Sequence, residues 1–524
     1  MRLDPLFISA RSASFALDDG GLYHTKRPYR LVLNGRDAGL AQTCVFSLYG
    51  LSPDARYTLE VMDGAQPLAA AAFHTDAEDY TLNVRRFGAL GDGVHDDTAA
   101  IQAAILCCPP RSRVYLPRGD YRVGPLFLKS HLRLEIAAGA RLCLIPDRGR
   151  FPILPGTTER TDEQGELCLG TWEGNPLDMF AALLTGVDVE DVQLYGQGIV
   201  DGCAQQGDWW KDPKVRRGAW RGRLLFLCRC QDITVQGLTF QNSPSWHVHP
   251  YFSERLRFIN IAVSSPGDSP NTDGFDPESC REVHVAGARF SVGDDCIAVK
   301  SGKLYMGSRY RTPCEDVDIS HCLMENGHGG VTIGSEMSGG VRSVTVRDCL
   351  MRSTDRGLRI KTRRGRGEQG VIDGIALDNV RMERVRIPFT VNCLYACDPD
   401  GHSPYVQSRA PLPVDARTPR VGALRFARVR AVGCGACAAY LLGLPELPIE
   451  SVTLKDVSFA FDSQAVPMVP IMADGVEPCL RRGLIAHNVE RLALSGVHMA
   501  GQMGATLEME RVAQVEGNVE TQAQ

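Results

Sequence analysis

The chain has 524 residues, of which 44% are hydrophobic and 23% are charged, and its net charge is −5. This balance is typical of a folded soluble protein and excludes a largely disordered one. The negative net charge argues against a general nucleic-acid-binding protein. The length exceeds that of one ordinary domain, so we expect a large core and more than one unit.

The first residues lack both the apolar core and the small-residue cleavage site of a signal peptide. No later stretch approaches the roughly 18 apolar residues of a membrane span. Many of the 18 cysteines, such as Cys228 and Cys349, lie in apolar runs, which is typical of buried thiols in a reducing compartment. The pairs at 107–108 and 434–437 lack the four ligands of a zinc site. We therefore expect a cytoplasmic protein that needs no metal or other cofactor.

Residues 1–77 predict a separate small β-domain. Segments 29–33 and 44–48 are apolar at strand length, and a Leu-Ser-Pro segment from Leu51 leads to Tyr57 at the start of a further strand. The Leu-Pro-Tyr pattern resembles the tyrosine corner of a fibronectin type III β-sandwich. A generic small β-domain is the alternative.

A polar linker at 74–79 precedes a segment that predicts a helix. Asp97 and Thr98 are placed to cap a helix that starts near Ala99. Asp92 and Asp96 complete an acidic group with Asp97, but its spacing does not fit a calcium-binding EF-hand. Capping is the expected role of these carboxylates.

Short apolar strands recur from about residue 113, and each ends at or near Gly, Asn, Asp or His. Their starts lie roughly 23 to 41 residues apart, and helical periodicity is nearly absent. Examples are the segments 192–196, 233–237, 256–260, 283–287, 317–321, 344–348 and 375–379. This pattern predicts an all-β chain in which a right-handed parallel β-helix, a solenoid, occupies residues 82–516.

Four segments place charged or polar residues where a coil of the solenoid should be apolar. They are 269–276, 293–298, 326–330 and 356–361. The separation of Asp273 and Asp294 along the chain is close to one coil, so Asp273 is expected beside Asp294 and Asp295.

His328 and Arg359 follow on later coils, and Arg359 and Lys361 should share one face of a strand. Each motif alone is usually a turn, a loop or a solvated strand. Together, at solenoid spacing, they predict one cluster of three carboxylates, an imidazole and two cations.

That cluster suits the hydrolysis of a glycosidic bond. One carboxyl group must carry a proton for the leaving oxygen, and an ionised one must activate water. Crowding the carboxylates raises the pKa of at least one of them. Arginine can hold the carboxylate of a uronic acid through two hydrogen bonds, and Arg363, Arg364 and Arg366 add positive charge nearby.

The four segments contain Asn-Thr-Asp, Gly-Asp-Asp, Gly-His-Gly and Arg-Ile-Lys, and they resemble the four signatures of the polygalacturonases, glycoside hydrolase family 28. The resemblance covers roughly residues 82 to 500. It implies inverting hydrolysis of α-1,4 bonds between galacturonic acid residues in homogalacturonan or oligogalacturonides. The predicted helix near residue 99 is also similar to the plug at the N-terminal end of pectin-degrading β-helices.

The resemblance implies a role for each matching residue. Asp294 would be the general acid, and Asp273 and Asp295 would hold and deprotonate the attacking water. His328 would hydrogen-bond near Asp294 and maintain its protonation state.

Four further residues are expected to bind substrate. Arg359 and Lys361 would bind the galacturonate carboxylate, and Asn271 would also contact substrate. Tyr395 lies where the family has a sugar-contacting tyrosine, although a core aromatic is equally consistent with its sequence context.

The chain further resembles bacterial exo-acting members, which carry an N-terminal fibronectin-like domain and loops that close one end of the groove. Residues 209–210 and 246–250 and the loops near 150–180 and 396–420 could supply this wall. A cytoplasmic enzyme of this kind would finish imported oligogalacturonides. Oligogalacturonide or pectin is then the expected partner, with no nucleic acid or membrane.

Alternative functions remain at this point. Within the family they are endo-acting hydrolysis and hydrolysis of a decorated galacturonan or rhamnogalacturonan. Outside it, a pectate lyase-like enzyme would hold calcium with several carboxylates. A non-catalytic carbohydrate-binding β-helix would have no need of the acidic trio.

Overall fold

The computed structural model describes residues 1–159, 161 and 165–521. The small part of the predicted 150–180 loop at residues 160 and 162–164 lies outside this range. Among the described residues, no helix is both long and apolar enough to cross a membrane.

The N-terminal unit consists of two antiparallel sheets that enclose one core. The three-stranded sheet contains Arg2–Ile8, Ser12–Asp18 and Val45–Tyr49. The four-stranded sheet contains His24–Leu33, Arg36–Thr43, Arg56–Asp63 and Gln66–His74. Phe15, Leu31 and Leu59 pack between them, and the Tyr57 hydroxyl accepts a hydrogen bond of 2.9 Å from the Ser52 N–H. This last contact ties the tyrosine to the chain just before its strand, as expected for a tyrosine corner.

The rest of the chain forms a parallel β-helix, which confirms the predicted fold class. Its first ladder of strands begins shortly after the sandwich ends. The ladder contains Thr81–Asn83, Arg113–Leu116, Arg133–Ile136, Glu190–Gly196, Gln231–Gln236, Glu254–Ile259, Arg281–Ala286, Cys314–Ser320, Val341–Arg352, Val371–Glu383, Ala423–Cys434, Ile449–Phe461 and Arg482–Ala500. The division into units at 1–77 and 82–516 stays a prediction.

A second ladder lines another face of the coil. It contains Asp92–Asp96, Gly119–Val123, Ala140–Leu144, Ile199–Asp201, Thr239–Gln241, Ala262–Ser264, Arg289–Ser291 and Leu323–Glu325, is continued by the long strands from Val341–Arg352 onward, and ends with Val519–Thr521.

The third ladder carries the predicted site. It contains Leu126–Phe127, Leu184–Val187, Leu225–Cys228, Val248–Tyr251, Ile297–Val299, Gly329–Ile333, Arg356–Lys361, Ile387–Asn392, Cys437–Leu442, the first part of Arg482–Ala500 and Leu507–Glu516. Phe275 bridges Val248 to Ile297 and so completes the ladder between two of these strands.

Short elements complete the described structure. Two-residue strands are Ile153–Leu154, Thr158–Glu159, Glu166–Leu167, Met179–Phe180 and Arg420–Val421. The α-helices are Thr98–Cys107, Leu304–Tyr310 and Pro404–Gln407, and the 3₁₀ helices are Val84–Phe87, Arg148–Arg150 and Ala204–Gln206.

The helix Thr98–Cys107 buries Ile101 and Ile105 in the main core, as the comparison with an end plug implied. The expected cap is different, however. The Asp97 carboxylate accepts N–H bonds from Leu90 and Gly91 instead of from the helix. Asp96 accepts the N–H bond of Thr98, so the neighbouring aspartate satisfies the first turn.

Apolar side chains point into the coil and stack on their equivalents in the next coil. Val331, Leu358 and Phe389 are paired in this way on the third ladder, and all three are buried. All 18 cysteines are free, and most are buried, which confirms that they act mainly as small apolar groups in packing. Because the inner positions are apolar, polar chemistry is confined to the outer face and the loops.

The sandwich is fastened to the β-helix by buried polar contacts. The Ser12 hydroxyl donates to the Gln236 amide oxygen at 2.7 Å, and the Gln236 amide nitrogen donates to the Ser14 hydroxyl at 2.6 Å. Beside them, Gly237 has a φ of +73° and lies so close to Tyr49 that a Cβ would be 1.7 Å from the tyrosine hydroxyl oxygen. The two units therefore meet at a position that only glycine can occupy.

We predict that Gly237→Ala destabilises the protein by about 3 kcal/mol, because the added methyl would also lie 2.5 Å from the backbone oxygen of Gly196. The matched control is Gly64→Ala, which has a φ of +60° and no atom within 4 Å of the added Cβ. The free energy of unfolding of that control should fall only by the cost of a left-handed backbone conformation, about 1 kcal/mol. Denaturant unfolding measures both, and equal losses would contradict the close approach.

Candidate active site

The register of the third ladder brings the predicted aspartates together. Phe275 pairs with Ile297 on the next coil, and the Gly274 N–H donates to the Asp295 carbonyl at 3.0 Å. Asp273 therefore lies level with Asp295, and Asp294 is one residue before that position. The expected proximity of the three aspartates is present. However, we expected one coil to match the separation of Asp273 from Asp294, and it matches the separation of Asp273 from Asp295.

The three carboxylates form one compact group. Asp273, Asp294 and Asp295 each offer an oxygen, and these atoms all lie within 4.8 Å of one another. Asp273 and Asp295 are buried, whereas Asp294 is half-buried. Asp294 is thus the member of the trio most open to a bound molecule.

The three carboxylates do not share one ionisation state. Burial, with the added repulsion of Asp294, raises the pKa of Asp273 well above its usual range. Burial and the charge of Asp295 also raise the pKa of Asp294. Burial acts in the same direction on Asp295, but Lys361 and Arg359 outweigh it and hold its pKa well below the ordinary value. The site therefore combines a firmly ionised carboxylate with two that retain a proton more readily.

Arg359 and Lys361 are the cations that set this difference. Both lie on the strand Arg356–Lys361 and project from the same face, as the two-residue spacing predicts. The Arg359 guanidinium donates to one oxygen of Asp295 at 3.1 Å, and the Lys361 ammonium donates to the other at 2.9 Å. With its side chain only 1% exposed, Asp295 depends on these two contacts for its charge.

His328 occupies the mouth of the site, but its partner differs from the expected one. Its backbone N–H donates to the Asp294 carbonyl at 3.0 Å. The imidazole Nδ1 is 3.0 Å from the Asp355 carboxylate, and the ring is about half exposed. This hydrogen bond to Asp355, followed by the charge of Asp294, raises the pKa of His328. His328 thus influences Asp294 through charge, while Asp355 orients the ring.

Asn271 and Tyr395 also line the pocket. The Asn271 side-chain oxygen accepts a hydrogen bond of 2.6 Å from Arg221. Tyr395 is half-buried, and its ring centre lies 5.9 Å from the Arg359 guanidinium and 5.7 Å from the Lys361 ammonium nitrogen. The tyrosine is therefore a wall of the site and not a core aromatic.

The pocket has a volume of about 560 Å³. Loops contribute to its wall, as the sequence predicts: Glu173 comes from the 150–180 loop, and Cys397 and Asp398 come from the 396–420 loop. Trp246 also lines it, but Trp209 does not. Trp209 is fully buried against Phe151 and Phe180, where Arg148 covers its ring. The prediction that Trp209 contributes to the wall is wrong, because its indole packs in the interior instead of facing the pocket.

Sequence reasoning missed several residues of the site. Lys300 and Glu336 lie in the pocket lining, Asp355 holds His328, and Met472 closes the pocket from the loop that follows Phe461. The sequence carried a signal for Lys300, because its separation from Glu278 equals the coil step that pairs Phe275 with Ile297. Met472 carried no such signal, since its loop lies outside the repeat.

The carboxylate trio has the donor types of a divalent-cation site. The protein already places cationic groups against it, because Lys300 is 3.9 Å from Asp273 and Arg359 and Lys361 bind Asp295. These three cations perform the charge compensation that a bound metal ion would supply.

We predict that Asp355→Asn lowers the pKa of His328 by about one unit, because the neutral amide no longer favours the imidazolium. NMR titration of the His328 ring measures the change. Asp316→Asn, at an exposed strand position remote from the pocket lining, is the control and should leave the titration unaltered. An unchanged His328 pKa in the Asp355 variant would contradict the proposed contact.

Comparison with known proteins identifies the family. The model of glycosyl hydrolases family 28 matches residues 162–460, more than half of the chain. A second model, rhamnogalacturonase A/epimerase, pectate lyase-like, matches residues 81–134.

Two curated relatives have similar sequences. A probable polygalacturonase of Vitis vinifera is 31% identical over 60% of this chain and 63% of its own length. The match thus spans less than two thirds of that relative. An endo-polygalacturonase of Pectobacterium carotovorum is 30% identical over 57% of this chain and 72% of its own.

Two solved structures have the same fold. An exopolygalacturonase from Thermotoga maritima covers 80% of this chain and 92% of its own, with 26% identity and a TM-score of 0.62. A family 28 exopolygalacturonase of Yersinia enterocolitica covers 99% and 98%, with 16% identity and a TM-score of 0.59, and so supports the fold alone. Together with the carboxylate trio and its cations, these matches show that the chain is a glycoside hydrolase and belongs to family 28.

Proposed function

We propose that this enzyme hydrolyses α-1,4 bonds between galacturonic acid residues of homogalacturonan or oligogalacturonides, with inversion and from a chain end. The observation that carries the proposal is the combination of three adjoining carboxylates with Arg359 and Lys361 in one pocket. The carboxylates supply an acid and a base, and the cations favour a uronate over a neutral sugar.

Asp294 acts as the general acid in this proposal. It is the most accessible of the trio, and its raised pKa keeps a proton available for the leaving oxygen. Asp295 acts as the base because its neighbours hold it ionised. Asp273, level with Asp295, holds the attacking water from the other side, and it must lose its own proton before it can accept one from the water.

Substrate binding is assigned to the charged and aromatic wall. Arg359 uses one guanidinium nitrogen for Asp295, and among the described residues its other terminal nitrogen contacts the Met472 sulfur, at 3.8 Å. Because Arg359 lines the pocket, that second nitrogen can donate to a galacturonate carboxylate. The Tyr395 ring beside it offers an apolar surface for the sugar, and Asn271 offers an amide group from elsewhere in the pocket lining.

Inversion rests on the family and not on the spacing of the carboxylates. In most inverting enzymes the acid and base lie roughly 6.5–9.5 Å apart. Here each carboxylate of the trio has an oxygen within 4.8 Å of the others. The attacking water must therefore be held between Asp273 and Asp295, beside the acid instead of far across from it.

Exo action is supported by the loop residues that line the pocket and by one relative. Loops from 150–180 and 396–420 contribute Glu173 and Asp398 to its wall, and Met472 comes from a third loop. The structure from Thermotoga maritima is titled an exopolygalacturonase, whereas the Pectobacterium relative is named an endo-polygalacturonase. We give the loop-lined wall more weight because loops that wall a groove limit how far a chain can extend.

A decorated galacturonan or rhamnogalacturonan is the second candidate substrate. The rhamnogalacturonase-type match covers residues 81–134. None of the pocket residues lies in that segment, so the match bears on the early coils and not on substrate choice.

Cytoplasmic action on imported oligogalacturonides is part of the proposal. The support is chemical, since all 18 thiols are free and a reducing compartment preserves that state. The substrate would then be short.

We predict that Asp294→Asn reduces kcat by about 10³-fold, because the amide cannot donate the proton to the leaving group. Substrate affinity should be largely kept. Reducing-end release from trigalacturonate measures kcat, and calorimetry measures binding. The exposed Asp268 provides the control variant Asp268→Asn, which should retain full turnover. A non-catalytic carbohydrate-binding β-helix would instead show no turnover, either as the wild type or as the Asp294→Asn variant.

We predict that digestion releases mono- or digalacturonate from the outset, with faster turnover on short oligomers than on polymer. Chromatography of early time points measures the products, and NMR of the newly formed reducing end should first show the inverted β-anomer. Ladders of intermediate oligomers would overturn exo action. Comparable rates on polymer and oligomers would contradict a role in finishing imported fragments. Formation of an unsaturated product that stops when EDTA is added would establish the calcium-dependent lyase instead.

A further inference from the structure

Lys300 lines the pocket but is almost fully buried, and none of the residue roles above uses it. It directly follows the strand Ile297–Val299 and is bridged to Glu278 on the preceding coil. Its side chain is only 4% exposed, and its ammonium nitrogen lies 4.5 Å from the centre of the Trp246 ring. An amine enclosed in this way must be balanced by nearby carboxylates or lose its proton.

Three carboxylates surround the Lys300 ammonium group. The distances are 3.3 Å to Glu336, 3.5 Å to Asp276 and 3.9 Å to Asp273. Among the described residues, Lys300 provides the only salt bridge of Asp273. Asp276 is fully buried, and neither of its carboxylate oxygens has a hydrogen-bond partner in the described part of the chain. Lys300 therefore links the catalytic trio to a second layer of buried charge.

The carboxylates compete unequally for this cation. Burial raises the pKa of Asp276 to about 7, so near neutrality it carries only part of a charge. Burial also acts on Glu336, but the nearby cations, Lys300 first, hold its pKa well below the ordinary value. The field of Lys300 is therefore divided mainly between an ionised Glu336 and Asp273.

Other charged groups complete the environment of this layer. Glu278 is buried, its pKa is raised to about 8, and it lies 3.0 Å from the His249 ring. Arg223 is fully buried on the other side of His249, at 3.4 Å. The charged and titratable groups that face Lys300 and Asp273 from the packed elements are Arg221, Arg223, His247, His249, Asp276, Glu278, Asp294, Asp295, Glu336 and Lys361.

We propose that Lys300 is a positioning residue that lets Asp273 ionise and hold the attacking water, as Arg359 and Lys361 do for Asp295. Each of the two water-holding carboxylates then has its own buried cation, and Glu336 moderates the one that serves Asp273. The proposal rests on the proposed hydrolysis and adds a residue that no catalytic motif contains.

The test is the pH dependence of kcat/KM on trigalacturonate. Its acid limb falls as the water-holding carboxylates become protonated. Lys300→Met removes a cation that lowers the pKa of Asp273, so the limb should move to higher pH by about one unit or more. Glu336→Gln removes the competing carboxylate, so the limb should move to lower pH. Lys300→Arg keeps the charge and should restore the wild-type limb.

Arg364→Met provides a matched structural control. Arg364 is also buried and paired with a carboxylate, Glu446, and contrary to the positive charge that the sequence led us to expect at the site, neither residue lines the pocket. Its loss should lower the melting temperature without moving the acid limb. Parallel circular dichroism melts separate folding defects from changes in ionisation.

The outcomes separate this proposal from the proposed function. Wild-type protein that is inactive on trigalacturonate at every pH would overturn the proposed hydrolysis of galacturonan. An active wild type with an unmoved limb in both Lys300→Met and Glu336→Gln would overturn only the role of Lys300. If Lys300→Met fails to fold, the Glu336→Gln variant decides alone. The role of Lys300 is rejected if the acid limb of that variant does not move to lower pH.

Discussion

The site depends on the stabilisation of one buried negative charge, that of Asp295. A carboxylate almost without solvent is costly unless cations and hydrogen bonds replace its water. Arg359 and Lys361 do so from a strand two coils away, each through a different oxygen. Removal of either partner would leave a buried charge uncompensated. The geometry of the other groups is built around this pair of contacts.

Those contacts require the coils to stack in one register. Parallel pairing holds each outward side chain about 4.8 Å from its equivalent in the next coil. The coil step that pairs Phe275 with Ile297 also places Asp273 beside Asp295 and Glu278 beside Lys300. One ladder thus produces both the catalytic trio and the charged layer beneath it. An insertion or deletion within that step would separate the two carboxylates that hold water.

The enclosure of the site has a different origin. It is built by loops between the coils, and these are held by polar contacts of their own. The Lys303 backbone N–H donates to the Gly174 carbonyl at 2.8 Å, and its ammonium group lies 2.7 Å from Asp398. One residue therefore fixes two loops that both contribute to the wall. The ladder determines which chemistry is available, and the loops determine how much of a polymer can reach it.

The sequence by itself determined the solenoid and the identity of the main charged residues. Apolar strands at coil-length spacing specify stacking, and the two-residue step from Arg359 to Lys361 specifies a shared face. The tertiary structure decided the partners: Asp355 for His328, Lys300 for Asp273, and a core position for Trp209. These contacts depend on the exact register and on loops of irregular length, such as the one that carries Met472. Spacing along the chain predicts which coil a residue belongs to, but only the packed structure decides which neighbouring charge its side chain meets.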